Sequence, residues 1–467
     1  MKRRDFLKIS GFATAGMAVS PLLSEDRRKP NILFIMADDL GREWISSYGG
    51  EKISTPNIDK LAQDGLRFTN AYSMPVCTPT RATLLTGQYP FRHGWCGHWD
   101  VPRWGAGGHF DWKHNLTFAR VMKSAGYATA AAGKWQINDF RVQPDAMLEH
   151  GFDECCMWTG FESQHPPSAE RYWDAYIHTR EGSRTYAGQF GTDVFLDFLI
   201  HFMRRHKEEP MMLYFPMCLP HKPLVHTPLE PDADSDEERY EAMVRYVDHA
   251  VGRLTKELDD LGLRDNTIII FTSDNGSDRS ITGRLNGREV RGGKNSYGEN
   301  GVRAPFIANC PGLIPSGAET EALTDFTDLF PTFAELGGAT LPEKVTLDGR
   351  SIARLILGKE NDSSREWIMA MGAGMMRRTS EGVGSKTPFS DRVVRDKRYK
   401  LWVTGGKSAR LFDLTADPAE AHNLIDSKDP KIVAARRKLE AVVKSFPKQD
   451  ARPRYDPTPP QPWDKLT

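Results

Sequence analysis

The residues best suited to chemistry in this 467-residue chain follow short apolar runs. Asn31–Ala37 (NILFIMA) leads into Asp38 and Asp39, and residues 267–272 (TIIIFT) lead into Ser273, Asp274 and Asn275. Residues 127–132 (YATAAA) lead into Gly133 and Lys134, and Met211–Pro216 (MMLYFP) precedes Pro220 and His221. Asp38, Asp39, Asp274 and Asn275 are hard oxygen donors, with no His or Cys among them. Such a set suits Ca²⁺ or Mg²⁺ and disfavours Zn²⁺. Taken singly, Asp38-Asp39 is as well read as an Asx turn closing a strand, and Asp274-Asn275-Gly276 as a loop turn. They become a site if the strand ends share one edge.

Residues 75–87 (PVCTPTRATLLTG) read as a helix that starts near Cys77, with Pro79 in its first turn and Gly87 at its end. Cys77 and Arg81 are then i and i+4, one above the other on one face. They stand at the helix end whose free N–H groups and positive dipole favour an anion such as sulfate or phosphate. The plain alternative is a structural Cys beside a surface Arg.

Near-continuous apolar strands are buried on both faces, which means a mostly parallel sheet covered by helices. Two stretches, 54–72 and 237–261, carry helical spacing. The first has Ile58, Leu61, Ala62 and Gly65 on one face; the second has Tyr240, Val244, Val247, Val251, Leu254, Leu258 and Leu261. Ligands of such sheets sit beyond the carboxyl ends of the strands. The expected fold is therefore α/β, a large mostly parallel sheet sandwiched by helices, with a smaller C-terminal α+β subdomain on a short antiparallel sheet. The division reads as 1–25, 26–364 and 365–467. In the last part, 392–403 (RVVRDKRYKLWV) alternates like a half-buried strand, 409–414 can pair with it, and Pro430–Ser445 forms a covering helix. Residues 453–462 are a proline-rich extended tail, and the acidic stretch 232–238 is a solvated helix N-terminus.

Lys+Arg and Asp+Glu both number 62, so no global field recruits nucleic acid or anionic membrane. Apolar residues make up 39% and the mean hydropathy is −0.51. No apolar run reaches the roughly 20 residues of a bilayer span, so no stable membrane insertion is expected. Residues 1–24 (MKRRDFLKISGFATAGMAVSPLLS) start basic and continue short and mildly apolar, the layout of an export signal. Residues 3–8 (RRDFLK) resemble the twin-arginine signal, which implies the twin-arginine export machinery as partner and a periplasmic or secreted bacterial enzyme. Cys77, Cys96, Cys155, Cys156, Cys218 and Cys310 lack metal-ligand spacing. Their even number permits three disulfides, but a chain folded before export meets oxidant late, so pairing stays open.

Cys77-Thr78-Pro79-Thr80-Arg81 matches the C-x-P-x-R signature of the type I, formylglycine-dependent sulfatases of the alkaline phosphatase superfamily, and the likeness continues through Leu85-Thr86-Gly87-Gln88-Tyr89-Pro90. Residues 31–41, 133–135, 150–154, 220–223, 265–276, 291–305, 327–336 and 392–424 also resemble family blocks, in the family's order. The likeness runs from about residue 29 to 450. The resemblance implies that a formylglycine-generating enzyme oxidises Cys77 to formylglycine. One oxygen of its gem-diol attacks sulfur and expels the alcohol, and the second hydroxyl then drives release of sulfate and restores the aldehyde. It implies one Ca²⁺, with Mg²⁺ as the alternative, held by Asp38, Asp39, Asp274, Asn275 and the modified Cys77. Arg81 would orient the diol, Lys134 and Lys294 would balance charge on the equatorial oxygens, and His221 would face the leaving group.

One departure stands out: the family usually has GKWH, whereas here Gly133-Lys134-Trp135 is followed by Gln136. Gln neither gains nor loses a proton near pH 7. Either that His role is dispensable, or His93 or His98 substitutes. Between residues 91 and 114, Trp95, Trp99, Trp104 and Trp112 interleave with His93, His98, His109 and His114, and Asp100 and Arg103 lie among them. Aromatic faces with hydrogen-bonding neighbours suit a sugar ring; a packed loop with Trp as filler accounts for the pattern equally well. The expected substrate is a sulfated carbohydrate, contacted by Gln136, His93, His98, Trp99 and Arg103. The alternatives are a phosphodiester or phosphonate hydrolase of the same superfamily, and an inactive sulfated-glycan-binding protein that only Gln136 supports.

Overall fold

The computed structural model of the chain describes residues 28–464, so the export signal read in residues 1–25 lies outside the described residues. In chain order the principal strands are β1 (Asn31–Ala37), β2 (Leu66–Tyr72), β3 (Ala128–Lys134), β4 (Glu154–Trp158), β5 (Tyr176–Thr179), β6 (Gly182–Thr185), β7 (Met211–Pro216) and β8 (Thr267–Ser273). In space β8, β1, β7, β3 and β4 lie side by side and parallel. Strand Arg303–Asn309 continues the sheet antiparallel beside β8 and leads to β2, while β5 and β6 extend the other edge antiparallel. Parallel pairing dominates where the strands are buried on both faces, as their unbroken apolar runs require.

Side-chain alternation along β1 shows the sandwich directly. Ile32, Phe34 and Met36 belong to the core that includes Phe118, Val121, Leu329 and Phe333 of the helices Phe118–Ser124 and Leu329–Leu336. Leu33, Ile35 and Ala37 belong to the opposite core, with helices Pro56–Gln63, Gly191–Arg205 and Asp236–Asp260. A period of two on a strand sends neighbours to opposite faces, so one seven-residue strand serves both cores.

The register levels the strand ends. Ala37 pairs with Ser273, and Met36 with both Thr272 and Pro216. Asp38, Asp274 and the segment after Pro216 therefore leave the sheet at one edge.

Two expectations need correction. The helix read over 54–72 is a helix at Pro56–Gln63 followed by β2 at Leu66–Tyr72. Gly65 makes the break, where a Cβ would lie 2.4 Å from the Ala308 carbonyl oxygen, and Leu66 and Phe68 then alternate inward. The single strand read over 392–403 is two, Arg392–Arg395 and Tyr399–Thr404. Asp396 Oδ1 accepts from the Arg398 and Tyr399 amides and closes the turn between them. With Ile368–Met371 and Lys407–Asp413 they form a four-stranded antiparallel sheet. Tyr72, Met74, Tyr89 and Phe91 of the larger part share its core. Pro430–Ser445 forms as read, and all six cysteines are free and buried. The acidic stretch is indeed a helix start: Ser235 caps Asp236–Asp260 in a capping box with Glu238.

Candidate active site

Each loop after a strand contributes one or two polar groups. Asp39 takes a positive φ of 65°, which breaks the strand's alternation directly after Asp38. Lys134 is the last residue of β3, two places further along the strand than the sequence pattern suggested. Gly133 before it must be glycine, because a Cβ there would lie 2.0 Å from the Pro216 carbonyl oxygen.

Helix Cys77–Thr86 starts over this edge and is buried along its whole length. Thr80 Oγ1 donates to the Asp274 carbonyl at 2.7 Å and pins the helix to the loop after β8. Cys77 Sγ lies 3.3 Å from Asp38 Oδ1, 3.7 Å from Asn275 Oδ1 and 3.4 Å from Lys134 Nζ. One turn on, Arg81 donates to Asp274 Oδ2 and to the Lys134 carbonyl, each at 3.0 Å. Lys134 Nζ donates to Asp38 Oδ2 and Lys294 Nζ to Asp39 Oδ2, both at 2.6 Å. Asn275 Nδ2 donates to Asp39 Oδ1 at 2.7 Å, and His221 Nε2 lies 3.6 Å from Asp39 Oδ2.

Asp38, Asp39 and Asp274 are all essentially inaccessible to solvent. Burial alone would raise Asp38, but Lys134, His221, Arg81 and Lys294 hold it well below the usual carboxylate range. Asp39 is raised by burial. Asp274 is pushed up to about 7 by burial and by the charge of Asp38. Burial also raises the Cys77 thiol and, with Lys294, drives His221 well below its ordinary value. One ligand atom from each of Asp38, Asp39, Cys77 and His221 lies within 4.8 Å of the others. Crowded, desolvated carboxylates with a carboxamide oxygen beside them are the donor set of a hard divalent cation, so the residues fit Ca²⁺ or Mg²⁺.

A cleft of about 370 Å³ opens onto this cluster, lined by His98, Asp100, Arg103, Gln136, Arg171, His221 and Lys294 among others. Of the residues read as substrate contacts, His98, Arg103 and Gln136 reach it. His93 and Trp99 do not. His93 is buried between Thr83 Oγ1 (3.2 Å from Nε2) and the Trp95 amide (3.1 Å from Nδ1), so it is no substitute for the histidine missing at position 136. Trp99 is buried against Trp104 and its carbonyl accepts from Thr78. The Trp-rich segment is mainly a packed cover. The tail crosses it: Thr458 donates to the Gly107 carbonyl and the Asp456 amide to Asp111.

Gln136, at φ 68°, donates through Nε2 to Asp100 Oδ2 at 3.1 Å. Its Oε1 and the other Asp100 oxygen are buried without a partner, and burial pushes Asp100 up to about 6. Arg171, not foreseen from sequence, stacks 3.9 Å over Trp158 and points a nitrogen at His221 Nδ1, 3.2 Å away. Nothing local to residue 171 signals this, since Trp158 and His221 reach it only through the fold.

A family model described as Sulfatase matches residues 30–339, and one described as N-sulphoglucosamine sulphohydrolase, C-terminal, matches residues 294–446. An arylsulfatase of Hemicentrotus pulcherrimus is 32% identical over 438 residues, covering 85% of this chain and 78% of that protein. An N-acetylgalactosamine-6-O-sulfatase of Bacteroides thetaiotaomicron is 30% identical, covering 90% and 94%. Among solved structures, Ps i-CgsB in complex with k-i-k-neocarrahexaose superposes with a TM-score of 0.74 at 28% identity, covering 91% of this chain and 94% of that one. The chain belongs to the sulfatase family, within the alkaline phosphatase superfamily.

Proposed function

We propose that this sulfatase hydrolyses a sulfate ester on a carbohydrate, with Cys77 as the nucleophile position. The observation that carries the carbohydrate reading is the polar lining of the cleft, where His98, Asp100, Arg103, Gln136 and Arg171 bring donors and acceptors together. A hydroxyl-bearing substrate can pair with such groups, where an aryl or steryl group leaves them without a partner. The names of the Bacteroides relative and of the oligosaccharide complex support the same reading.

Cys77 in its formylglycine form would supply the attacking oxygen. A Ca²⁺ held by Asp38, Asp39, Asp274, Asn275 and residue 77 would supply positive charge against the sulfate oxygens. The chain's other residues have separable tasks. Arg81, fixed by Asp274 and the Lys134 carbonyl, orients the nucleophile position. Lys134, 3.4 Å from the residue 77 sulfur, and Lys294, held on Asp39, supply ammonium charge for the equatorial oxygens. His221, neutral through burial and flanked by Arg171, stands where the leaving oxygen departs. On residues 1–24 we place the protein in the periplasm or outside the cell. Among the described residues, no helix is long and apolar enough to cross a membrane.

The test pairs mass spectrometry of the Cys77 peptide, from protein made alongside a formylglycine-generating enzyme, with a panel of sulfated sugars, an aryl sulfate and a phosphonate ester. Conversion of the thiol to an aldehyde and a kcat/KM preference for a sulfated sugar are expected. Gln136→Ala should raise KM for the sugar several-fold and leave the aryl ester unaffected. An unmodified thiol, or preference for the phosphonate, overturns the reading.

A further inference from the structure

A second cleft, of about 490 Å³, is lined by the arginines Arg42, Arg288, Arg291 and Arg303 and by the glutamates Glu43, Glu289, Glu299 and Glu420. The four arginines are not paired off one to one by the four glutamates. Among the described residues, Arg42, Arg288 and Arg291 make no ion pair with any carboxylate, and the guanidiniums of Arg42 and Arg288 make no hydrogen bond.

The nearby acids are committed elsewhere. Glu299 lies 3.2 Å from Arg395, 3.0 Å from Lys400 and 3.4 Å from Arg303, and hydrogen-bonds the Tyr72 hydroxyl. Glu420 pairs with Lys400 at 3.1 Å and accepts from the Glu299 amide at 2.7 Å. Glu43 is buried, raised by that burial, and bonded to Ser277 Oγ at 2.6 Å. Only the exposed Glu289 is left on the wall. Burial, and then the charge of Arg303, lower Arg42 to about 9, against the opposing pull of Glu299 and Glu43.

We propose that this cleft binds a tetrahedral oxyanion of the sulfate or phosphate class, clamped between Arg42 and Arg303 on one wall and Arg288 and Arg291 of the hairpin Thr282–Arg291 on the other. Guanidinium forks match such oxygens in pairs. Among the described residues, Arg42 on one wall and Arg288 on the other are without a partner, while Arg303 keeps Glu299 and Arg291 keeps the Arg279 carbonyl. The hairpin runs through Arg291, Gly292 and Gly293 into Lys294, so a bound anion would also brace the loop that carries a catalytic-site lysine. The site is independent of the proposed substrate: it requires only the four arginines.

Selenate is the probe, because its anomalous scattering locates it and sulfate competes for the same geometry. Crystals of the full chain soaked in selenate should show a peak among the four arginines as well as any at the catalytic cleft. In Arg288→Ala/Arg291→Ala, both on exposed strand positions, the hairpin peak should vanish and the catalytic peak remain. Calorimetric titration of selenate at constant ionic strength should show about tenfold weaker binding or a lost site.

Two sources can supply the anion. If it is free in solution, the double variant leaves KM for mono- and disulfated sugars unchanged. If a second sulfate on the substrate supplies it, KM rises for the disulfated sugar alone. No selenate at the hairpin, or binding that follows ionic strength regardless of whether selenate or chloride provides it, overturns the proposal. An unchanged melting temperature excludes unfolding as the cause of a lost peak.

Discussion

Two buried clusters of aspartates in this protein show how differently one residue type can be used. Asp325 and Asp328 lie under the small sheet, as inaccessible as Asp38, Asp39 and Asp274 at the catalytic edge. In the first cluster every carboxylate oxygen meets a fixed donor. Asp325 accepts from the Thr327 amide at 3.0 Å and from the Tyr89 hydroxyl at 2.5 Å. Asp328 accepts from the Asp325 amide at 3.0 Å and the Arg350 amide at 2.7 Å, and Arg365 grips it through Nε at 2.8 Å and Nη2 at 2.6 Å. In the second cluster Arg81 and the Asp39 amide hold Asp274, but Asp38 and Asp39 meet lysine ammoniums and a thiol, and three carboxylates crowd one space. A guanidinium serves both clusters; what differs is that the second gathers three carboxylates in one space and leaves two of them to ammonium groups on long stems.

The largest expected effect tests the catalytic side. Cys77→Ala should lower kcat by about a thousandfold or more, because the proposed nucleophile position is gone. The melting temperature should barely move, since one sulfur atom is lost from a cluster with other partners. A sulfate-release assay beside a thermal melt checks both.

Next, Arg365→Ala should destabilise the fold by about 3–5 kcal/mol in chemical denaturation, because it leaves two buried carboxylates without their cation. The kcat of the protein that remains folded should be unchanged. A loss of kcat as large as the loss of stability would break the division between the two clusters.

pH sharpens the contrast by sign. His93, buried beside the structural side of the catalytic helix, has its pKa lowered to about 3 by burial, against an ordinary 6.5. The unfolded chain therefore takes the proton first, so this contribution is complete above about 6.5 and is lost as pH falls toward 3. At pH 5 the loss is about 2 kcal/mol, and in His93→Gln the acid limb of a stability–pH curve should be shallower by that amount.

Asp274 has the opposite slope. Its folded value near 7 exceeds the ordinary 3.8, so in protein without a divalent cation its contribution is complete below about 4 and is lost as pH rises to about 7. Asp274→Asn should remove that slope and stabilise the cation-free protein at pH 8, while weakening Ca²⁺ binding in calorimetry. Asp328→Asn should do the reverse and lower the melting temperature. If both variants destabilise equally, the catalytic edge is no more frustrated than the structural cluster.

Much of this molecule is legible locally. The apolar runs of β1, β7 and β8, the Gly87 stop after Cys77–Thr86, and the oxygen donors just beyond the strands are short-range facts of residue type and spacing. They determine an α/β sheet with an edge of hard oxygen donors and a cysteine-bearing helix start beside it. Strand β2 was hidden because residues 58–65 continue a helical stripe, and only the close approach of Ala308 to Gly65 ends it. The choice among the histidines could not be read either. His93 and His98 sit five residues apart in the same Trp-rich segment, yet one fills the core and the other lines the cleft.

The same holds for the pairing of Gln136 with Asp100, the stacking of Arg171 on Trp158, and the grip of Arg365 on Asp328. The physical reason is common to all of them. Helix periodicity, strand alternation and turn chemistry act over a few residues and are written in the local sequence. Which buried polar atom meets which depends on segments tens to hundreds of residues apart, brought into contact only when the sheet has closed its two cores.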